Sequence, residues 1–241
     1  MKPIARRTMM SKKVVPLPLA LPTNGLVYCV EGDKGLPITS GKTGSWTPYA
    51  GSNKAVFTQT DGNLQASVYP TGLKTKPTVR FATNAYYTQT LTVKPQMLFM
   101  LLKLNGSTGD YQMPISARSQ YSNITANSPE DLMWVIAANT TKLTHSGSLA
   151  AAWCNGTSIY TSLNNGGYDL STGIVLLELT YPPTKAIGTY YFCLGVDTNN
   201  SSRKLNGDIS AVAMFNVSDT TTRLNARKYF SDKYSLNLPT V

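Results

Sequence analysis

The stretch QMLFMLLKL, residues 96–104, is apolar at nearly every position, and GIVLLELTY, residues 173–181, repeats the pattern. Successive side chains of a strand point to opposite faces, so a short run that is apolar throughout has no face to turn to water. Such runs are central strands covered on both sides. That demands a sheet with material packed against each face. At 241 residues, 41% of them apolar, the chain is long enough for one large domain with a substantial core.

From Gly25 onward, β-rich runs recur between turn clusters: GLVYCV, KAVFTQT, PTVRFAT, QMLFMLLKL, DLMWVIAAN, SLAAAWC, TSIYTSL, GIVLLELTY, TYYFCLGV and DISAVAMFN. Helices do not alternate with them, which points to a sandwich or jelly roll rather than a parallel α/β sheet. Asn155-Gly156 lies between Leu149, Ala151 and Trp153 on one side and Thr157, Ile159 and Thr161 on the other, predicting a two-residue hairpin turn. No internal repeat is visible.

One short helix is predicted, at the end. LNGDISAVAMFNVSD, residues 205–219, reads as a strand with Ile209, Ala211, Ala213 and Phe215 on one face, and Ser218 or Asp219 can then cap the first free amides. Ala226, Tyr229, Phe230 and Tyr234 follow helical spacing. Arg223, Arg227, Lys228 and Lys233 are assigned to the opposite face, as a solvated surface or one that meets an anionic partner. Asn237-Leu238-Pro239 ends the helix.

Residues 1–24 read as a separate extended arm ahead of a domain over 25–241. The arm is basic to Lys13, and Pro16, Pro18 and Pro22 then forbid a helix and favour a polyproline-like path. Of the 22 Lys and Arg that set the formal charge of +10, five lie in the first 13 residues. The arm lacks the interleaved aromatics of a nucleic-acid binder, so nucleic acid is not expected as a partner. Arg6, Arg7, Lys12, Lys13, Pro16 and Pro18 are the candidates for docking onto a neighbouring protein.

Cys29, Cys154 and Cys193 sit in apolar runs, an odd number of thiols packing as small hydrophobes, which fits synthesis in a reducing cytoplasm. No cysteine pair has metal-ligand spacing and His145 is the sole histidine, so a Cys/His zinc site is not expected. No apolar run approaches the roughly 20 residues that span a bilayer, and VVPLPLALP is too short and proline-broken for a signal-peptide core. No membrane association is expected.

The closing segment NGDISAVAMFN, followed by VSDTTTRLNARKYFSDKYSL, resembles the laminin-G-like jelly rolls of the concanavalin A-like lectin/glucanase superfamily, which occur in bacterial surface proteins and phage virion proteins. Those modules close with a Gly-Asp-Ile-Ala-Glu-like strand, a turn and a helix ending in Lys-Tyr; here Ser210-Ala211 replaces Ala-Glu. YYFCLGVDTNNSSRKLNGD is similar to their strand, variable loop and Asp-Gly approach. GLVYCVEGDKG parallels their opening strand, with Cys29 in place of tryptophan and Glu31 in place of aspartate. GSWTPYAG keeps Trp46 without the acidic residue, and KTKPTVRFATNAYY is similar to their Lys-Pro-x-Val-x-Phe strand. The resemblance covers about residues 25–236 and implies an antiparallel β-sandwich, or jelly roll, with one short C-terminal helix. Glycan binders, hydrolases and structural virion modules all share that scaffold, so function depends on the site.

Glycoside hydrolysis commonly needs two carboxylates flanking the scissile bond. The lone i, i+2 acidic pair is Glu31-Gly32-Asp33, which reads as turn and hydrogen-bonding residues at a strand exit; Glu178 is isolated within its run, and Glu130-Asp131 reads as a loop. His145, in THSGS, has no patterned nucleophile and reads as a surface loop residue. No catalytic residue, metal ligand or cofactor is assigned, and no phosphate-binding glycine loop follows any strand. The resemblance leaves calcium to be considered on Asp33, Asp169, Asp197 and Asp208, which are too scattered to assign a site. Glycan binding would use aromatic faces with Asn and Asp hydrogen bonds, and Trp46, Tyr49, Tyr86 and Tyr87 are the candidates. The resulting expectation is a non-enzymatic structural or adhesion protein of a bacteriophage particle, made in the host cytoplasm. Its partners would be capsid or tail subunits and copies of itself, with host surface glycans as further ligands. The alternative is a free carbohydrate-binding lectin or adhesin, followed by a glycoside hydrolase.

Overall fold

In the computed structural model the residues described are 20–82, 85–91, 95–118, 132–146, 149–170, 173–183, 190–197 and 200–239. The first strands are β1 (Leu26–Glu31), β2 (Lys42–Thr43), β3 (Ser45–Trp46), β4 (Phe57–Thr58), β5 (Ala66–Leu73), β6 (Lys76–Phe81) and β7 (Tyr87–Leu91). Then come β8 (Met97–Leu104), β9 (Gln112–Arg118), β10 (Leu132–Ile136), β11 (Lys142–Ser146), β12 (Ala151–Cys154) and β13 (Thr157–Ser158). A short helix, α1 (Tyr160–Asn164), precedes β14 (Tyr168–Asp169), β15 (Ile174–Thr180), β16 (Tyr190–Leu194), β17 (Val196–Asp197), β18 (Asn200–Lys204) and β19 (Gly207–Phe215). The last helix is α2 (Thr220–Tyr234).

One sheet runs β13-β12-β15-β8-β19-β6-β5-β2, with β1 also paired to β19, and the other runs β14-β11-β10-β9-β16-β7-β4-β3. The pairings are antiparallel. Leu98, Met100 and Leu102 of β8 and Val175, Leu177 and Leu179 of β15 face the second sheet, meeting Tyr87, Ile115, Trp134 and Phe192. The intervening residues, Met97, Phe99, Leu101 and Leu176, face away and pack on Ala226, Tyr229, Phe230 and Tyr234 of α2. The all-β sandwich thus carries α2 as a third layer, and this is why β8 and β15 are apolar on both faces.

Strand β19 departs from simple alternation. Its register against β8 slips between Ile209 and Ala211, a bulge at Ser210 that reverses which side later residues face. Ile209, Val212 and Met214 lie between the sheets, while Ala211, Ala213 and Phe215 lie under the helix. Ile209 therefore does not share a face with Ala211, Ala213 and Phe215 as strict period-two reading predicts. The bulge is also where β19 changes neighbour, from β6 along Gly207–Ile209 to β1 along Ala211–Phe215. The Ser210 carbonyl accepts from the Gly32 amide at 2.7 Å and from the Tyr234 hydroxyl at 3.3 Å.

Asn155-Gly156 forms the expected turn, with φ of +49° and +82°, joining β12 to β13 with Cys154 opposite Thr157. The TSIYTSL strand does not extend as predicted: after Ser158 the chain turns into α1, which packs on β11 and β12. Leu163 is the buried residue of α1. The fold therefore has two helices among the described residues. Strand β9 was hidden in the sequence by Pro114; its register with β10 slips between Trp134 and Ile136, opposite Pro114, and a bulge tolerates the missing amide.

Candidate functional site

The four aromatic candidates for glycan stacking divide sharply. Trp46 is 0% exposed and donates its Nε1–H to the Glu31 carbonyl at 3.1 Å. Tyr87 is also 0% exposed, with its hydroxyl on the Thr43 carbonyl at 2.8 Å and its ring edge-on to Phe81. Both are core residues with no ring face for a sugar, because sandwich cores use the same amphipathic aromatics. Tyr86 is half-buried. Tyr49 is half-buried too, and the Lys34 ammonium lies over its ring, 3.8 Å from the centroid. The structure brings none of the four together as an open platform. Arg6, Arg7, Lys12, Lys13, Pro16 and Pro18, and the pair Glu130-Asp131, lie outside the described residues.

The basic residues of α2 were missed as site residues. Arg223, Arg227 and Lys233 do not form an outward face; they reach back onto carboxylates of the first sheet. On β15, Glu178 is 0% exposed and points to the helix side. Arg227 grips it with Nε at 2.6 Å and Nη2 at 2.9 Å. Arg223 adds Nη1 at 3.1 Å while stacking on Trp153, 3.9 Å from the ring. A paired carboxylate of this kind is a strut. Lys228 alone of the four is outward, paired with Asp232 at 2.9 Å.

At the other end of the helix the Glu31 side chain, 0% exposed, enters a denser constellation. Its Oε1 accepts from the Tyr229 hydroxyl at 2.6 Å and from the Tyr49 hydroxyl. Its Oε2 is in contact with Lys233 Nζ, which also reaches Asp33 Oδ1 at 2.9 Å. The Cys29 thiol donates to Tyr49 Oη at 3.6 Å. Burial pulls the Lys233 ammonium down to about 8, pushes the Cys29 thiol up to about 12 and raises both tyrosines. Gly32 is required here: a Cβ would stand 2.2 Å from the Pro77 carbonyl oxygen.

The remaining acids are also engaged. Asp208 takes Arg80 Nε at 2.7 Å and Nη2 at 2.9 Å, Asp197 takes Arg203 at 3.2 Å, and Asp169 accepts from Thr141 at 2.6 Å. Among the described residues no three His, Cys, Asp or Glu gather as a metal site. His145 lies on β11, half-buried, with Nε2 3.2 Å from Asn164 Oδ1 of α1, so it is a strand residue rather than the loop residue expected. All three cysteines are buried and free, and burial raises Cys154 to about 11 and Cys193 to about 12.

The second sheet has an outward face that the helices leave open. Tyr87, Leu91, Phe192 and Leu194 point into the inter-sheet core, so by alternation Thr88, Thr90, Tyr191 and Cys193 point out. These four, with Ala55, Val56 and Thr58 at one side, line a cleft of about 430 Å³, a size suited to a small ligand. The ribbon β17–β18 packs against β9 beside it, with Ser116 Oγ donating to the Val196 carbonyl at 2.9 Å.

No protein-family model matches the sequence, and no curated protein matches it. Among solved structures, the chain is similar to Trypanosoma rangeli sialidase in complex with sialic acid, at 11% identity and a TM-score of 0.49, over 93% of this chain and 36% of that one. The same enzyme's covalent intermediate with 2,3-difluorosialic acid gives 10% identity and a TM-score of 0.46, over 88% and 34%. The chain thus spans about a third of the sialidase's length. At TM-scores of 0.49 and 0.46 the backbone agreement is too loose to bear on what this chain does.

Proposed function

We propose that the chain is a non-enzymatic structural and adhesion protein of a bacteriophage particle, a concanavalin A-like jelly roll of the laminin-G type whose arm docks onto a neighbouring capsid or tail subunit. The observation that carries this reading is the root of the arm. Leu21 packs on the core beneath α2, and Asn24 Nδ2 donates to Thr222 Oγ1 at 3.2 Å in the first turn of that helix. The domain is thus fixed at Leu21 and Asn24, the residues next to the proposed arm, and a docking segment with a fixed root loses less entropy on binding than one on a loose tether. The carboxylates support the same reading: Glu31, Glu178, Asp197 and Asp208 each face a cation, an arrangement that holds structure together. The test is to replace the gene in the phage with one lacking codons 2–19, which spares Leu21, and to quantify the protein in purified particles. Loss of incorporation by a chain that still folds is expected; incorporation at the full level would overturn the reading.

A second reading, glycan binding, is favoured by the open cleft at Thr88, Thr90 and Tyr191. It places recognition on the second sheet and not on Trp46 or Tyr87. On a glycan array, Tyr191→Ala is expected to abolish any signal that the full chain gives, whereas an array blank for the full chain removes this reading.

A further inference from the structure

We infer that Lys233 and Glu31 condense to an intramolecular isopeptide bond, joining the first strand of the domain to its last helix. The two residues are 202 positions apart, and the lysine nitrogen is in contact with Glu31 Oε2. An ion pair would be served by any approach of ammonium to carboxylate. Here the surroundings are asymmetric. Both hydroxyl donors, Tyr229 at 2.6 Å and Tyr49, converge on Oε1, leaving Oε2 to the amine. A second carboxylate, Asp33, touches the same nitrogen at 2.9 Å. The aromatic rings of Tyr229 and Tyr234 lie 5.9 and 5.7 Å from Nζ, and the Glu31 side chain is 0% exposed.

These are the parts amide formation needs: a nucleophile, an electrophile with donors aimed at one oxygen, and a proton carrier on the nucleophile. Transfer of one proton from the ammonium to Glu31 Oε2 neutralises both partners, a change that burial favours. Burial already brings the lysine down to about 8. The free amine then attacks Cδ, the C–N bond forms, and charge developing on Oε1 is held by the two tyrosine hydroxyls. Asp33 takes the second proton from Nζ and returns it to Oε2, the Cδ–Oε2 bond breaks, and one water leaves. Atoms and charge balance with no outside reagent. Strand β1 is paired to β19 and α2 is packed across the same sheet, so the reacting atoms are held together, and orientation of that kind can replace activation of the acid.

The experiment is the intact mass of the full chain under denaturing conditions. The expected value lies about 18 Da, one water, below the sequence mass. Proteolysis is expected to release a branched peptide carrying Glu31 and Lys233, while Lys233→Arg, which keeps the positive charge, returns to its sequence mass. Asp33→Asn is expected to leave part of the population uncondensed. A full chain at its unmodified mass would overturn the inference, as would a branch at Asp33 in place of Glu31; complete condensation of Asp33→Asn would overturn the part given to Asp33.

Discussion

Glu178 illustrates how a single residue fixes its surroundings. A carboxylate buried without a partner in the middle of an apolar strand would cost several kcal/mol, and the chain meets it with two arginines from one face of α2. Arg227→Ala is expected to lower stability by about 3 kcal/mol in urea denaturation, whereas Lys228→Ala, at an exposed pair, should change it by less than about 0.5 kcal/mol. This strut was legible and was misread. At 3.6 residues per turn, Arg223, Arg227 and Lys233 fall in the same sector as Ala226, Phe230 and Tyr234; only Lys228 lies opposite. A lone glutamate in an apolar run was the second signal, since it asks for a buried cation. Of the two cap candidates, Ser218 and Asp219, the structure selects Asp219: its side chain accepts from the Thr222 amide at 2.8 Å, and this bond holds its carboxyl below the ordinary value. A depressed folded pKa gives stability that is present above the unfolded value and lost as pH falls through the folded one. The destabilisation caused by Asp219→Ala, about 1 kcal/mol at neutral pH, should therefore shrink in urea titrations run below about pH 4.

At the scale of elements, α2 closes a core as a fold component rather than as a surface ornament. Phe230 is fully buried against Phe99 and Tyr229, and Phe230→Ala is expected to cost about 3–5 kcal/mol, read as a lowered urea midpoint. The two-sided strands β8 and β15 were legible because continuous apolar patterning has one physical meaning in a short strand. The apolar spacing of α2 was legible for the same reason. The bulge at Ser210 was not, because period-two reading assumes an unbroken ladder. Nor was α1, because Ile159 and Leu163 fit a helical face as well as a strand, and burial at the sandwich edge decides between them. In the candidate site, Trp46 and Tyr87 could not be separated from surface aromatics by composition, since the same side chains fill cores and bind sugars.

The whole molecule is a two-sheet sandwich with a helix held over it at Glu31 and Glu178, and Leu21 and Asn24 seat the residues ahead of β1 against that helix. Thiol chemistry probes the integrity of the assembly: with all three cysteines buried and shifted upward by burial, the native chain is expected to resist a thiol reagent at pH 8 and to react at three sites once unfolded. Fast labelling of the native chain would mean that the layers open. The reach of the arm is the functional claim, and cross-linking mass spectrometry on purified particles tests it most directly. Lys12 and Lys13 are expected to yield cross-links to a different virion protein. Absence of the chain from particles, or links from those lysines to its own domain alone, would contradict the account.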